Sequence, residues 1–156
     1  MMTEISRVEE LLIQRGDFLV TAESCTGGLI ATAITKIAGA SEWYSGGWVT
    51  YSNEMKITQL GVPEKMLQEH GAVSEQVAKA MCEGALEQSN ATVALSTTGI
   101  AGPSGGTVEK PVGTVFIGCA TKNGLCVKRF LFSGKRGEVQ EQTLLSALRL
   151  LCETVK

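Results

Sequence analysis

The first candidate for chemistry is Ser24, which stands in ESCTGG (residues 23–28) shortly after the apolar run FLV (residues 18–20). The apolar run predicts a buried strand, and the residues after the glycines have helical spacing, so Ser24 lies where a strand turns into a helix. Such a turn can hold a hydroxyl beside unpaired backbone N–H groups, as the nucleophile elbow does, although G-x-S-x-G is absent. The N–H groups that follow Ser24 could then bind an oxyanion, at about 2.7–4 kcal/mol per donor.

Other interpretations of this segment stay open. Ser24 or Thr26 could cap the following helix, because Ser and Thr are favoured at N-caps. Cys25 is a competing nucleophile, but a catalytic cysteine normally needs a paired histidine. The one histidine of the chain, His70, lies in QEHG (residues 68–71), which is typical of a charged helix C-terminus.

A serine nucleophile needs a base, and lysine can serve where burial lowers its pKa toward neutrality. Lys56 is the candidate because it ends TYSNEMK (residues 50–56), where polar groups cluster just past a β-rich segment. The competing interpretation is an ordinary solvated lysine, since lysines are almost never buried without a partner. Spacing alone leaves the choice open.

Glycines concentrate in two segments that follow predicted strands, Gly27-Gly28 and Gly99–Gly106. In open α/β sheets, the crevice beyond the carboxyl ends of the strands is the usual ligand site. The Walker and dinucleotide-binding glycine motifs are absent, so a nucleotide would need a loop of another kind. The same glycines could serve only to make tight turns. The residues by themselves thus predict a small-molecule pocket at the strand ends, and no more.

Composition excludes several classes of function. A net charge of −2 and an aromatic content of 5% argue against a nucleic-acid partner. A single histidine and the absence of a C-x-x-C pair argue against a metal site. The odd set of 5 cysteines is typical of reduced thiols in a cytoplasmic protein. No segment approaches the ~20 apolar residues of a membrane span, so we expect no membrane partner. We also expect no cofactor.

The elements that must position these residues alternate between helix and strand. The predicted helices are Thr3–Arg15, Leu29–Ile37, Asn53–Leu60, one beginning at Pro63, one capped by Ser74 and Gln140–Val155. The predicted strands are Phe18–Ala22, Trp48–Tyr51, Ala91–Thr97 and a hairpin of Val112–Thr121 with Leu125–Phe132. This order predicts one α/β domain over residues 1–156, a three-layer α/β/α sandwich with a mixed β-sheet. We also expect a homo-oligomer, since many small α/β enzymes are symmetric dimers.

The chain resembles the CinA C-terminal domain family over roughly residues 4–154. The motifs that carry this resemblance occur in one order: TAESCTGG (21–28), YSNEMK (51–56), LGV (60–62), HGAVSE (70–75), GIAGPSGG (99–106), KPVGTV (110–115) and FSGKR (132–136). The resemblance implies an amidohydrolase that deamidates nicotinamide mononucleotide to nicotinate mononucleotide and ammonia, within NAD recycling.

The resemblance also implies roles for individual residues. Ser24 would be the nucleophile, Lys56 its base, and Tyr51 a proton-relay or positioning hydroxyl. Arg136 would be a phosphate partner. The other residues expected to bind substrate or oxyanion are Cys25, Thr26, Gly27, Gly28, Thr98, Gly99, Gly102 and Gly105.

Two positions depart from the family pattern. Thr98 stands where a serine is frequent, and Gln140 stands where a basic residue is frequent. The alternative function is therefore a catalytically weak or inactive paralogue that binds a pyridine nucleotide as a binding or regulatory module. A DNA-damage interaction module is a further alternative, which the acidic balance of charges disfavours.

Overall fold

The computed structural model describes residues 1–156 as helices on both faces of one sheet. The helices are α1 (Met2–Arg15), α2 (Leu29–Thr35), α3 (Asn53–Leu60), α4 (Glu64–His70), α5 (Glu75–Glu87) and α6 (Arg136–Thr154), with a 3-10 turn at Ala40–Glu42. The strands are β1 (Leu19–Glu23), β2 (Tyr44–Val49), β3 (Val93–Gly99), β4 (Thr114–Thr121) and β5 (Gly124–Leu131). No helix combines the length and the apolar character needed to cross a membrane.

The sheet is mixed, with strand order β2-β1-β3-β4-β5. Strand β1 pairs in parallel with β2 and β3, whereas β4 and β5 continue the sheet as an antiparallel hairpin. Parallel neighbours need crossover connections, and the helices between these strands supply them. The sequence-based prediction of an α/β fold with a mixed sheet is confirmed.

Successive residues of the strands supply two separate cores, because side chains alternate between the faces of a sheet. Leu19 belongs to a cluster of 24 buried residues formed with α1, α2 and α6. Val20 belongs to a cluster of 12 on the opposite face, formed with α3, α4 and α5. Two helical layers enclose the sheet, so the predicted three-layer sandwich is also confirmed.

Two predicted elements differ from the structure most, and both matter for the site. Strand β2 covers Tyr44–Val49 rather than Trp48–Tyr51. Two glycines in its middle weaken the β signal, and the carbonyl oxygen of Thr50 is left outside the ladder. Helix α6 begins at Arg136, four residues before the predicted start at Gln140. Its polar first turn has no apolar periodicity, but Glu138 accepts a hydrogen bond from the N–H of Lys135 at 3.0 Å and so satisfies a free donor at the start of the helix.

Candidate active site

Three parallel strands end at one edge of the sheet and bring the predicted site segments together. Glu23, the last residue of β1, lies opposite Val49 of β2 and Thr97 of β3. The pairing continues past the strands: the N–H of Ser24 donates to the Thr97 carbonyl at 3.0 Å, and the N–H of Thr50 donates to the Glu23 carbonyl at 2.9 Å. The segments that follow the three strands therefore converge beyond their carboxyl ends.

Lys56 is buried against Ser24. Its Nζ lies 2.9 Å from Ser24 Oγ, 2.8 Å from the Thr50 carbonyl oxygen and 3.4 Å from the Tyr51 carbonyl oxygen. Ser52 caps α3 with its hydroxyl, which fixes the turn that carries Lys56. The lysine is 1% exposed, so the solvated-lysine interpretation was wrong.

The surroundings of Lys56 favour its neutral form. Burial lowers the pKa of its amine, with a smaller opposing contribution from Cys25, and Lys56 takes part in no ion pair. A neutral amine has two N–H donors and one lone pair. With the carbonyl oxygens of Thr50 and Tyr51 accepting the N–H groups, the lone pair is free to accept the proton of Ser24. This is the arrangement required of a general base.

Cys25 lacks the features of a catalytic thiolate. Burial raises the pKa of its thiol to about 12, so the sulfur is protonated at neutral pH. His70 is the last residue of α4 and does not line the pocket that contains Cys25. Its predicted place at a helix C-terminus is confirmed. The geometry therefore favours Ser24 over Cys25 as the nucleophile.

The loop after β1 leaves backbone donors free, although not all those predicted. The N–H of Gly27 donates to the Ser24 carbonyl at 3.1 Å and is not available. The N–H groups of Cys25, Thr26 and Gly28 donate to no acceptor in the protein. Gly27 and Gly28 have φ angles of +59° and +96°, which only glycine adopts readily. With these conformations the chain reverses direction while the N–H groups of Cys25 and Thr26 stay unpaired.

The helix-cap interpretation was wrong for both Ser24 and Thr26. Helix α2 begins after Gly28, and no side chain at that position caps it. Instead Glu23 Oε1 accepts the N–H of Ile30, and its Oε2 accepts the N–H of Ala31, both at 3.0 Å. A carboxylate on these free donors also interacts favourably with the helix dipole.

Glu23 is the residue that the analysis of the sequence missed in this loop. Its side chain is 1% exposed and accepts a hydrogen bond from Thr26 Oγ1 at 2.6 Å. Thr26 Oγ1 also lies 2.8 Å from Thr97 Oγ1, which ties the loop to β3. The available signal was a single acidic residue at the end of an otherwise uncharged strand. A buried carboxylate needs hydrogen-bond donors, so its presence there indicates nearby N–H or O–H groups.

Ser24 and Lys56 open into a pocket of about 350 Å³, within the range of small-molecule sites. Most predicted site residues line it, whereas Thr26, Gly27 and Gly28 do not. The predicted residues in its wall are Ser24, Cys25, Tyr51, Lys56, Thr98, Gly99, Gly102, Gly105 and Arg136. The residues that sequence reasoning missed are Asn53, Ala72, Val73, Ile100, Ala101 and Ser104.

The glycine-rich loop after β3 forms one side of the pocket. Gly102 has a φ of +83°, and a Cβ added there would lie 2.5 Å from Val112 Cγ1, so a side chain does not fit. Thr98, at the position where relatives often have serine, donates its hydroxyl to the Ala72 carbonyl at 2.8 Å. The hydroxyl thus holds the segment before α5 in place, and the additional methyl group is accommodated.

Arg136 spans the pocket between two loops. Its Nη1 donates to the Gly102 carbonyl and its Nη2 donates to Tyr51 Oη, each at 2.7 Å. Tyr51 is 60% exposed, and its hydroxyl bonds to Arg136 rather than to Ser24 or Lys56. The Tyr51 hydroxyl therefore contacts the guanidinium and not the Ser24–Lys56 pair. No group of three His, Cys, Asp or Glu side chains is arranged to hold a metal ion.

Comparison with known proteins places this geometry in a family. The model of the CinA C-terminal domain matches residues 2–155. The protein called nicotinamide-nucleotide amidohydrolase PncC from Escherichia coli K12 is 50% identical over 146 residues, covering 93% of this chain and 88% of that protein. A CinA-like protein from Geobacter sp. strain M21 is 51% identical over 145 residues, covering 93% of this chain and 35% of its own length. The chain thus spans about a third of the length of several curated relatives.

Solved structures agree with the sequence comparison. The crystal structure of the competence damage-inducible protein A from Klebsiella pneumoniae superposes with a TM-score of 0.95 at 37% identity, over 98% of this chain and 95% of that one. The competence/damage inducible protein from Agrobacterium tumefaciens gives a TM-score of 0.92 at 41% identity, over 98% and 96% of the two chains. The match to the family model over nearly the whole chain and these full-length similarities lead to one conclusion: the chain belongs to the CinA C-terminal domain family.

Proposed function

We propose that this protein is an amidohydrolase that converts nicotinamide mononucleotide and water into nicotinate mononucleotide and ammonia by a Ser/Lys mechanism. The observation that carries the proposal is the 2.9 Å contact between Lys56 Nζ and Ser24 Oγ at the wall of the pocket. A hydroxyl beside a buried amine with a lowered pKa is an activated nucleophile.

The choice of substrate rests on the relative from Escherichia coli, whose name states that it is a nicotinamide-nucleotide amidohydrolase. That protein is matched over 88% of its length, so the similarity includes every element around the pocket. The pocket volume of about 350 Å³ is large enough for a small molecule of this class.

In the acylation step, Lys56 accepts the proton of Ser24 as Oγ attacks the carboxamide carbon. The negative charge that develops on the amide oxygen is stabilised by free N–H groups that follow Ser24, among them that of Cys25, which lines the pocket. The C–N bond then breaks, and the leaving nitrogen takes the proton from Lys56 and departs as ammonia. Ser24 is left as an ester of nicotinate mononucleotide.

In the deacylation step, Lys56 is again neutral and accepts a proton from water. The water oxygen attacks the ester carbon, and the same N–H groups stabilise the oxyanion. Breaking the ester bond returns the proton to Ser24 Oγ and releases nicotinate mononucleotide. One water is consumed and one ammonia released per turnover, without a metal or a cofactor.

Arg136 is expected to bind the substrate phosphate. It uses two of its five N–H donors on Gly102 and Tyr51, and the remaining donors are available for an anion. Replacing Arg136 by Ala should raise the KM for nicotinamide mononucleotide roughly 10- to 100-fold, since hydrogen bonds to charged groups contribute about 1.5–3 kcal/mol. Steady-state kinetics would measure this effect, and the nucleoside without a phosphate is the control. An equal loss for nucleotide and nucleoside would contradict a phosphate-binding role.

The pH dependence should report the titration of Lys56. Because burial lowers its pKa, the neutral base becomes populated below the ordinary lysine value of 10.5. We expect log kcat to rise with pH along one limb with its midpoint below that value, and then to level off. The limb should lie at the same pH for the nucleoside, which has no titrating phosphate. A profile that falls as pH rises through this range would exclude Lys56 as the base.

The test of the proposed function is a coupled ammonia assay on nicotinamide mononucleotide, with free nicotinamide as a control. We expect ammonia from nicotinamide mononucleotide and little from free nicotinamide, which lacks the phosphate. Absence of ammonia with a rise in thermal stability on adding the nucleotide would favour the alternative, a binding or regulatory module. The homo-oligomeric state, the cytoplasmic location, the single-domain organisation and the place in NAD recycling stay predictions.

A further inference from the structure

Gln140 connects helix α6 to the nucleophile loop. Its Nε2 donates to the carbonyl oxygen of Cys25 at 3.0 Å, across 115 positions in the sequence. The residue is half-buried and does not line the pocket, so it has no direct route to a substrate. The position is also one where the sequence departs from the family pattern. Its only side-chain hydrogen bond in the structure is to the peptide next to the nucleophile.

The geometry of the peptide group gives that hydrogen bond a consequence. In a trans peptide, the N–H of one residue points opposite to the C=O of the residue before it. The Ser24 carbonyl accepts the N–H of Gly27, which directs the N–H of Cys25 the other way. The Cys25 carbonyl accepts from Gln140, which directs the N–H of Thr26 away from α6. The two peptides that follow Ser24 are therefore each held by a hydrogen bond at the carbonyl oxygen, and their N–H groups are unpaired.

We propose that Gln140 is a positioning residue of the oxyanion site: by holding the peptide between Cys25 and Thr26, it keeps the backbone of Cys25, the pocket-lining residue next to Ser24, in place for the oxyanion. The proposal rests on the proposed function, since it assigns a role within that reaction. Arg136 remains the cation that faces the pocket.

The kinetic test compares three variants in the full chain. Gln140→Met keeps the length of the side chain and removes the donor, so kcat should fall roughly 10- to 100-fold while KM stays within about 3-fold. Gln140→Lys restores a donor and should recover most of kcat. Gln142→Met is the matched control, because Gln142 donates only to carbonyls of its own segment, those of Ser133 and Glu138, and should keep the wild-type kcat. If Gln140 had only a structural role, Gln140→Met would lower thermal stability but would not lower kcat selectively while leaving KM nearly unchanged.

A second measurement does not depend on turnover. The backbone amide crosspeak of Thr26 should shift in the ¹⁵N–¹H spectrum of Gln140→Met, because its peptide loses a hydrogen bond at the carbonyl. It should stay in place in Gln142→Met. An unmoved Thr26 crosspeak, or an unchanged kcat in Gln140→Met, would overturn the proposal. If the wild-type protein released no ammonia, the proposed function would fail, and the Thr26 crosspeak would still decide whether Gln140 positions this peptide.

Discussion

Replacing Ser24 by Ala should lower the rate of ammonia release from nicotinamide mononucleotide by roughly 10⁴- to 10⁶-fold, the loss typical of removing a catalytic nucleophile. The substitution removes one oxygen, the atom 2.9 Å from Lys56 Nζ. No acyl-enzyme can then form, and water is not held in the position of Oγ. Initial rates in a coupled ammonia assay measure the effect.

Binding should survive this substitution. The pocket wall and Arg136 are unchanged, so the dissociation constant for the nucleotide, measured by calorimetry, should stay within about tenfold, or 1.4 kcal/mol. Ser41→Ala is the matched control, because Ser41 is exposed and outside the pocket. Ammonia release by Ser24→Ala at a rate near that of the control would remove Ser24 from the mechanism.

Replacing Lys56 by Met should lower kcat by about 10²- to 10⁴-fold, the usual contribution of a general acid–base group. Lys56→Arg should be about as inactive, since a guanidinium stays protonated and cannot accept the proton of Ser24. If Lys56 acted only through a positive charge, Lys56→Arg would keep that charge and should keep most of kcat. Equal loss in both variants, measured as kcat, therefore identifies a base.

Stability should respond to the same substitution in a pH-dependent way. The folded protein has a lowered Lys56 pKa, so between that pKa and 10.5 the unfolded chain binds more protons than the folded one. The wild-type protein therefore gains stability from this group as pH rises through that window. The Tm of Lys56→Met relative to wild type should be highest at low pH and should decrease as the pH rises toward 10.5. A Tm difference that did not change with pH would show that burial does not lower the pKa of Lys56.

The sequence predicted the fold and the position of Ser24 better than it predicted the burial of Lys56. Ser24 follows a short apolar strand and precedes two glycines, and this local pattern is enough to indicate a strand-to-helix turn. The burial of Lys56 depends on its contacts with Ser24, which follows β1, and with Thr50, which follows β2, and no local pattern contains these contacts. An isolated lysine in a polar segment is normally solvated, so only the tertiary structure identifies this one.

Contacts between distant segments explain the other differences. Glu23 holds α2 through donors seven and eight residues away, and Gln140 reaches the loop from the opposite end of the chain. The early end of β2 leaves the Thr50 carbonyl outside the ladder, where it accepts from Lys56. Strand boundaries follow from pairing with neighbours rather than from propensity, so this detail was not available from the sequence.

The central claim is that Ser24 forms an ester with the substrate, and rapid acid quenching followed by mass spectrometry tests it most directly. The wild-type protein is mixed with excess nicotinamide mononucleotide, and first-turnover ammonia is measured beside the mass of the protein. The mechanism predicts a protein heavier by one nicotinate mononucleotide minus water, with peptide fragmentation locating the adduct on Ser24. An adduct on Cys25, or a first turnover of ammonia with no covalent adduct at any quench time, would contradict it.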